Sequence, residues 1–292
     1  MKQLSFIDHP IPKPITNVAK IPQRSLSRYP GGKTWLVPRI REWLNSLTRT
    51  PDEFIEPFAG GAIVALTVAF ERLAKQVTIV ELDHQVAAVW HTIINGDGKL
   101  LAERIANFNF TPETVDETLK KPAGTLSDLA FQTILKNRVN RGGILANGAG
   151  RIKNGENGKG LRSRWYPQTL KQRILDIVSI RDRIRFIEGD GLSLIRAHAD
   201  RGDTAFFIDP PYTAGQKRAG SRLYTHSDLD HAELFRLVSK ISGDFLITYD
   251  NANELYDFAR QYHFDTHLVA MKNTHHAKMT ELLMGKTLDW AR

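Results

Sequence analysis

The tetrapeptide Asp209-Pro210-Pro211-Tyr212 follows the apolar stretch Ala205 to Ile208, whose length and composition predict a buried strand. Residues at the carboxyl end of such a strand face the ligand crevice of an open parallel sheet. The two prolines lack a backbone N–H and restrict φ, so a carboxylate, rigid carbonyls and an aromatic ring lie side by side. This set suits an exocyclic amine. Asp209 and the carbonyl of Pro210 accept its two hydrogens, its nitrogen becomes nucleophilic, and Tyr212 stacks on the attached base. The alternative, a proline turn that only ends a strand, does not account for the acid and the ring.

A second motif, Glu56-Pro57-Phe58-Ala59-Gly60-Gly61, lies between a predicted strand and a predicted helix. Glycine lets a ligand approach the backbone and the helix N-terminus. Glu81 ends the next strand, about 20 residues later, where a carboxylate accepts hydrogen bonds from ribose hydroxyls. Together the two features predict a nucleoside-containing cofactor. The spacing differs from the G-x-G-x-x-G of dinucleotide sites, and a glycine turn that serves only tight packing is the alternative.

The stretch Gly31-Gly32-Lys33-Thr34 is similar to the end of a phosphate-binding loop. The full pattern requires glycine where Ser27 stands, and an apolar strand before it, and the sequence has neither. We therefore disfavour a P-loop nucleoside triphosphatase.

The net charge of the chain, +8, is concentrated in one segment. Between Asn137 and Leu175 there are nine basic residues and one acidic residue, Glu156. The bases are Arg138, Arg141, Arg151, Lys153, Lys159, Arg162, Arg164, Lys171 and Arg173. Seven glycines between Arg141 and Gly160 indicate a mobile or hairpin-like element. Lys and Arg displace counterions from phosphates, Arg and Asn read base edges, and Trp165 and Tyr166 add stacking surface, so we predict a nucleic-acid contact. A solvated flexible loop is the alternative.

Taken in order, these motifs resemble the Dam-type DNA adenine methyltransferases, of the alpha arrangement of amino-methyltransferases, over about Arg28 to Leu283. The stretch from Arg28 to Lys33 is similar to the N-terminal cofactor motif of that family, and the other two motifs are similar to its glycine motif and its catalytic motif. Glu81 stands where the family has the acid that binds the cofactor ribose, often aspartate, with Asp83 as a substitute two residues on. Asp190 is similar to the residue that reads the cofactor adenine.

The resemblance implies an α/β protein with a Rossmann-like class I methyltransferase fold, a mixed, mostly parallel seven-stranded sheet and an inserted target-recognition domain. It implies a site-specific DNA methyltransferase that transfers a methyl group from S-adenosylmethionine to the N6 amino group of an adenine flipped out of duplex DNA. The implied catalytic residues are Asp209, Pro210, Pro211 and Tyr212. The implied cofactor-binding residues are Tyr29, Gly32, Lys33, Glu56, Phe58, Gly60, Glu81, Asp190 and Asp209. The expected DNA-binding residues are Arg138, Arg141, Arg162, Arg164, Lys217, Arg218, Arg222 and Tyr224. No metal is expected, because the sulfonium is already a good leaving group.

Hydrophobic periodicity places these motifs on alternating strands and helices. It predicts strands at residues 53–56, 77–80, 185–187, 205–208 and 245–249, and a terminal hairpin at 266–269 and 281–284. It predicts helices at residues 35–47, 61–72, 84–95, 229–241 and 254–262, and one through residue 194. This order is typical of a parallel sheet covered by helices. We divide the chain into an extended N-terminal arm (1–27), a catalytic domain that binds S-adenosylmethionine (28–96 and 182–292) and a helical target-recognition insertion (97–181).

Composition excludes several classes of protein. A chain of 292 residues with 41% hydrophobic and 25% charged residues is typical of a folded globular protein. The absence of cysteine excludes disulfides, thiolate nucleophiles and thiolate zinc sites. The longest uncharged stretch, Pro57 to Phe70, is too short to span a bilayer, and no secretory leader is apparent. We expect a cytoplasmic protein that works on double-stranded DNA, with no membrane partner, a monomer favoured, and a restriction endonuclease as a candidate partner.

Three alternatives stay open at this stage. N4-cytosine methylation uses the same activation of an amine, and the aspartate at position 209 favours adenine only by family analogy. A DNA-binding module with a decayed cofactor site would keep the basic segment without the chemistry. RNA is a further candidate substrate for a basic surface.

Overall fold

The computed structural model describes residues 16–28, 31–146, 148–155, 158–211, 229–272 and 278–292. Its strands are β1 (Glu53–Glu56), β2 (Gln76–Glu81), β3 (Ile184–Glu188), β4 (Thr204–Ile208), β5 (Asp244–Asp250), β6 (Asp265–Lys272) and β7 (Lys278–Gly285). They form one sheet in the order β3-β2-β1-β4-β5-β7-β6. The first five strands pair in parallel, and β7 runs antiparallel between β5 and β6. The predicted fold class, a Rossmann-like, mixed and mostly parallel seven-stranded sheet, is confirmed.

The order of the strands locates the ligand crevice. The chain runs outward from β1 through β2 to β3, and then returns to the other side of β1 with β4. Ligands bind at the carboxyl ends of the strands where the order reverses in this way. Glu56 ends β1 and Asp209 directly follows β4, its neighbour in the sheet. Both sequence motifs therefore meet at the same edge of the sheet.

Helices cover both faces of the sheet. They are α1 (Val37–Ser46), α2 (Ile63–Glu71), α3 (His84–Ile94), α4 (Gly98–Asn107), α5 (Pro112–Lys120), α6 (Leu126–Val139), α7 (Pro167–Ser179), α8 (Gly191–His198), α9 (His231–Val238) and α10 (Asn253–Gln261). The predicted strands and helices are present with shifts of a few residues at their ends. Helix α2 begins two residues later than predicted, because Ala62 adopts a left-handed conformation (φ 48°) before the first helical turn.

Two apolar layers sandwich the sheet, as the alternation of side chains along a strand requires. On β5, Leu246 packs in the layer that contains α1, α2 and α3, and Ile247 packs in the layer that contains α8, α9 and α10. The central strands β1 and β4 are buried along their whole length. Burial on both faces explains why β4 is a nearly continuous run of apolar residues.

Residues 98–179 form a helical layer on the outer side of α3. Helix α6 packs on α3, and α4 packs on α7. Their apolar residues, among them Leu101, Phe131 and Leu170, belong to the same core as Trp90 of α3. The predicted helical character of this segment is confirmed, and its treatment as a separate insertion stays a prediction.

Residues 16–28 pack against the body of the protein. Leu26 is buried in the core, Ser25 donates a hydrogen bond to the carbonyl of Gly61 (2.6 Å), and Arg24 forms an ion pair with Glu71 (2.9 Å). The part of the predicted arm that the structure describes is thus attached beside the glycine motif. Nowhere in the described residues is there a helix with the length and apolarity that a membrane crossing requires.

Candidate active site

The carboxylate of Asp209 lies at the carboxyl end of β4 and is held from two sides. Lys33 Nζ lies 2.9 Å from Asp209 Oδ1, and the hydroxyl of Thr248 on β5 donates to the same oxygen over 2.8 Å. Lys33 also donates to the carbonyl of Gly31 (2.8 Å). These two donors fix one oxygen of the carboxylate directly before the rigid Pro210-Pro211 turn.

A second carboxylate, Glu281 on β7, faces the same ammonium group. Its Oε1 lies 3.7 Å from Lys33 Nζ, and its residue is directly opposite Asp250 in the pairing of β5 with β7. Thr248 and Asp250 are two residues apart on one strand, so they share a face of the sheet. One ammonium therefore lies among the carboxylates of Asp209, Glu281 and Asp250.

Electrostatics keeps Lys33 charged in this site although its side chain is buried. Burial alone would lower its pKa, but the carboxylates of Asp209 and Glu281 outweigh burial and raise the pKa above its ordinary value. For Glu281, burial and the negative charges of Asp209 and Asp250 outweigh Lys33 and raise the pKa to about 7. The cluster thus contains a carboxyl group that changes its charge near neutral pH.

The glycine motif forms a loop whose backbone is fixed by its neighbours. The N–H of Gly60 donates to Glu81 Oε2 (2.8 Å), and the carbonyl of Gly60 accepts from the indole of Trp90 (2.9 Å). Gly60 has φ 46°, in the left-handed region that glycine adopts without strain. The carboxylate of Glu56 accepts from the N–H of Ala65 (2.7 Å), in the first turn of α2. The loop and the start of α2 are therefore rigid before any ligand binds.

Glu81 has both oxygens in this network, since Oε1 accepts from the N–H of Asp83 (2.8 Å). Each oxygen has a further lone pair, so the carboxylate can still accept from a ligand hydroxyl. Burial raises its pKa to about 7 and raises the pKa of Glu56 well above its ordinary value. Asp83 is instead the N-cap of α3, where its carboxylate accepts from Gln85 and Val86. The acid at the strand end is therefore Glu81.

Asp190 and Phe58 lie on the rim next to this loop. Asp190 is exposed and caps α8, where its carboxylate accepts from the N–H groups of Leu192 and Ser193. A side chain at Gly191 would lie 2.4 Å from the carbonyl of Pro57 and 3.0 Å from the ring of Phe58. The loop after β3 and the glycine motif after β1 are thus in direct contact, as a shared ligand site requires.

These residues fit a nucleoside with a positively charged sulfonium. Glu81 offers acceptors for the ribose hydroxyls, the loop around Gly60 allows close approach, and the carboxyl groups of Glu56, Asp209 and Glu281 lie at the crevice. Gly32 is exposed directly before Lys33. Among the described residues no group of three or more side chains could hold a metal ion.

Several predicted site residues lie outside the described residues. They are Tyr29, Tyr212, Lys217, Arg218, Arg222 and Tyr224. Of the catalytic motif, the structure describes Asp209, Pro210 and Pro211.

The basic segment differs from its prediction in two residues. Arg138 is only 5% exposed, and its guanidinium donates to the carbonyl of Leu26. Burial and the nearby arginines lower its pKa to about 10. Trp165, predicted as a stacking surface, is buried and stacks on Phe110 with ring centroids 5.1 Å apart. Both residues serve packing, because α6 and the segment before α7 turn them inward. We therefore remove Arg138 and Trp165 from the predicted nucleic-acid surface.

The other predicted contacts of this segment remain at or near the surface. Arg141 and Arg162 are exposed, Arg164 is half-buried, and the guanidinium of Arg162 also donates to the carbonyl of Phe110. The glycine-rich stretch closes in a hairpin-like way, since Asn140 and Arg151 form an antiparallel bridge. Tyr166 is 49% exposed.

Asn137 connects this segment to the start of the cofactor motif. Its amide accepts from the N–H of Arg28 (2.9 Å) and donates to the carbonyls of Arg28 (3.1 Å) and Gly143 (2.7 Å). Gly143 has φ 75°, and a Cβ on it would lie 2.0 Å from the carbonyl of Arg28. The backbone five residues before Lys33 is thus pressed between α6 and the glycine-rich stretch.

Sequence reasoning missed Thr248 and Glu281 as parts of the site and assigned no role to Asp250. The available signal was an acid, Glu281, directly before the apolar run Leu282, Leu283 and Met284.

Comparison with known proteins supports the resemblance. Residues 29–119 match the model of the D12 class N6 adenine-specific DNA methyltransferases, which confirms the resemblance stated from the sequence over that part of the chain. The match supports methyl transfer that depends on S-adenosylmethionine. The comparison with curated proteins gives no match.

Solved structures with similar folds include other methyltransferases. A proposed RNA methyltransferase from Pyrococcus horikoshii is 13% identical, with a TM-score of 0.41 and coverage of 92% of each chain. The rRNA methyltransferase AviRa from Streptomyces viridochromogenes is 12% identical, with a TM-score of 0.39, and the match covers 88% of the present chain and 86% of AviRa.

Proposed function

We propose that the protein transfers a methyl group from S-adenosylmethionine to the N6 amino group of an adenine flipped out of duplex DNA. The observation that carries this proposal is the Asp209 carboxylate, held by Lys33 and Thr248 at the switch point of the sheet, beside the loop of Gly60 and Glu81. The match of residues 29–119 to N6 adenine-specific DNA methyltransferases supports adenine in DNA as the substrate.

The protein's part in the reaction is to bind and orient. An amino group within a base-paired stack cannot be reached, so the base must leave the duplex before it enters the crevice. Asp209 and the carbonyl of Pro210 then accept the two N–H groups of the amine. This directs the nitrogen lone pair toward the methyl donor, so catalysis rests on positioning and on electrostatic stabilisation. Tyr212 would hold the face of the base.

The cofactor would be held by the residues at the carboxyl ends of β1 and β2. When bound, S-adenosylmethionine supplies an activated methyl group on a sulfonium. Glu81 would accept hydrogen bonds from the ribose hydroxyls. The loop that contains Phe58 and Gly60 would lie against the nucleoside. Asp190 would lie near the adenine of the cofactor, while Lys33, Gly32 and Tyr29 would line the side that leads to Asp209.

The DNA would be held by basic side chains of the glycine-rich segment. Of the predicted contacts in this segment, Arg141 and Arg162 are exposed and Arg164 is half-buried. Lys217, Arg218, Arg222 and Tyr224 would contact the DNA near the extruded base. Neutralising phosphates releases counterions, so binding should weaken steeply with salt.

The experiment is methyl transfer from radiolabelled S-adenosylmethionine to plasmid DNA purified from cells that lack DNA methylation. Digestion to nucleosides and mass spectrometry should identify N6-methyladenine. If the product is N4-methylcytosine, the target base is cytosine and the proposal of adenine is wrong. If the methyl group is transferred to RNA but not to DNA, the proposal of DNA as the substrate is wrong.

Asp209→Ala should lower the rate by on the order of 10³-fold, because the amine loses its principal acceptor. Asp257→Ala, at an exposed position of α10, is the matched control and should leave the rate unchanged. Full activity of Asp209→Ala would refute the assigned chemistry. Calorimetric titration with S-adenosylmethionine tests the alternative of a decayed site, which would bind DNA and give no heat.

A further inference from the structure

Glu281 lies in the candidate site, and the mechanism above gives it no task. Its Oε1 is 3.7 Å from Lys33 Nζ, while Asp209 Oδ1 is 2.9 Å from the same nitrogen. Its other oxygen, Oε2, is buried and has no hydrogen-bond partner among the described residues. A buried carboxylate oxygen without a partner is costly, because it has lost its hydrogen bonds to water. Its neighbours in the site show what this carboxylate can act on.

The fold places Glu281 where it can act on Asp209. It stands opposite Asp250 across the pairing of β5 with β7. On the other side, its partner on β6 is the apolar Val269. The charged groups that face it among the described residues are therefore Lys33, Asp209 and Asp250. The only positive charge among these three is the ammonium of Lys33, which is held between the two carboxylates.

Building on the proposed function, we propose that Glu281 is a positioning residue for methyl transfer. It shares the Lys33 ammonium with Asp209, so that the Asp209 carboxylate keeps its negative charge and acceptor strength for the adenine amine. If Lys33 had only Asp209 as a partner, the ammonium would cancel that charge. With Glu281 ionised, the three carboxylates outweigh the ammonium, and the site stays negative where the amine binds.

The reaction itself rewards a negative site. In the transfer the nitrogen–carbon bond forms, the carbon–sulfur bond breaks with its electron pair left on sulfur, and the positive charge moves to N6. N6 then loses a proton to solvent. Negative charge placed beside N6 in advance stabilises that transition state, in a buried site where screening by water is weak.

The proposal makes the rate depend on pH in one direction. The pKa of Glu281 is about 7, raised by burial and by the two neighbouring carboxylates. Below that value Glu281 is neutral and the ammonium is left to Asp209. Above it, Glu281 is ionised and the transfer is faster. Glu81 also has a pKa of about 7, so the dependence must be assigned to Glu281 by substitution.

The experiment is single-turnover methyl transfer between pH 6 and 8.5. The enzyme is in excess over unmethylated plasmid DNA, and labelled S-adenosylmethionine is saturating. The wild-type rate should rise about tenfold over this range. The rate of Glu281→Gln should be about tenfold lower than that of the wild type at pH 8. Between pH 6 and 8.5 it should lack the part of the wild-type rise that Glu281 causes. Glu281→Asp keeps the charge and should keep the rise. The matched control is Glu117→Gln, at an exposed position of α5, with an unchanged profile expected.

Each outcome decides one question. A wild-type enzyme that methylates no adenine in DNA refutes the proposed function, and the role of Glu281 falls with it. If the wild type is active and Glu281→Gln keeps the wild-type rate and profile, only the role of Glu281 is refuted. Equal losses in the Gln and Asp variants, with parallel profiles, would mean that the residue serves packing, which also overturns the proposal. Calorimetric binding of S-adenosylmethionine by each variant checks that it is folded.

Discussion

Lys33 and Arg138 are both buried cations, but Lys33 is surrounded by carboxylates, while Arg138 lies beside a backbone carbonyl and other arginines. Lys33 lies among the carboxylates of Asp209, Glu281 and Asp250, which raise its pKa although burial opposes them. Arg138 donates to the carbonyl of Leu26, and burial with neighbouring arginines lowers its pKa to about 10. The first cation belongs to a cluster that can do chemistry, and the second attaches one segment to another. The role of a basic residue therefore depends more on the groups that its side chain contacts than on its position in a motif or in a positively charged segment.

The largest effect that tests this comparison is expected from Lys33→Met. The two carboxylates would lose their counterion, so methyl transfer should fall on the order of 10²–10³-fold. The free energy of unfolding at pH 8 should fall by about 3 kcal/mol, because buried charges are left unpaired. Denaturant titration and single-turnover rates measure both effects. Lys75→Met, at an exposed position, is the control, and a wild-type rate for Lys33→Met would break the comparison.

A pH effect on stability follows from the raised pKa of Glu281. Between its ordinary value and about 7, the folded protein binds a proton at this carboxyl that the unfolded chain has lost. The free energy of unfolding should therefore fall as the pH rises from 5 to 8, by about 2 kcal/mol for this group. Denaturant titrations of the wild type and of Glu281→Gln at several pH values measure this dependence. If both proteins lose the same free energy of unfolding as the pH rises, another group is responsible. A flatter curve for the variant supports the assignment.

Arg138→Met should lower the free energy of unfolding by about 1.5 kcal/mol, since the carbonyl of Leu26 loses its donor. DNA affinity should keep its dependence on salt. Arg141→Met, three residues further on and exposed, is the matched control and should change stability by less than about 0.5 kcal/mol. If Arg138→Met is as stable as the control and binds DNA less tightly, Arg138 is a DNA contact and the comparison fails.

The smallest effect is expected at the surface. Arg141→Gln with Arg162→Gln should weaken DNA binding about fivefold and reduce the slope of log affinity against log salt by about two. The pair Lys240→Gln and Arg260→Gln removes the same charge elsewhere on the surface. Fluorescence anisotropy at several salt concentrations measures the slopes. An identical loss in both pairs would mean that net charge, and not this segment, attracts the DNA.

Much of the fold was predictable because its signals are local. The strand Glu53–Glu56 and the start of α3 after Asp83 follow from periodicity and a capping residue within a few positions. The edge where Asp209 and Glu56 meet follows from the rule that places sites at the carboxyl ends of parallel strands.

What could not be predicted depends on pairing between distant segments. Glu281 reaches the site only because β7 inserts between β5 and β6, a register that no short pattern encodes. Arg138 looked like its neighbour Arg141, and only the packing of α6 against Leu26 separates them. Trp165 lies in the core for the same reason, since Phe110, its stacking partner, is 55 positions earlier in the chain.

Gly143 limits how freely the glycine-rich stretch can be engineered. The side chains of Lys153 and Lys159 are exposed, so a library can vary these two positions. At position 143 any larger side chain would collide with the main chain of residue 28, five positions before Lys33. A library that randomises the whole glycine-rich stretch would therefore lose most of its variants to misfolding at this one position.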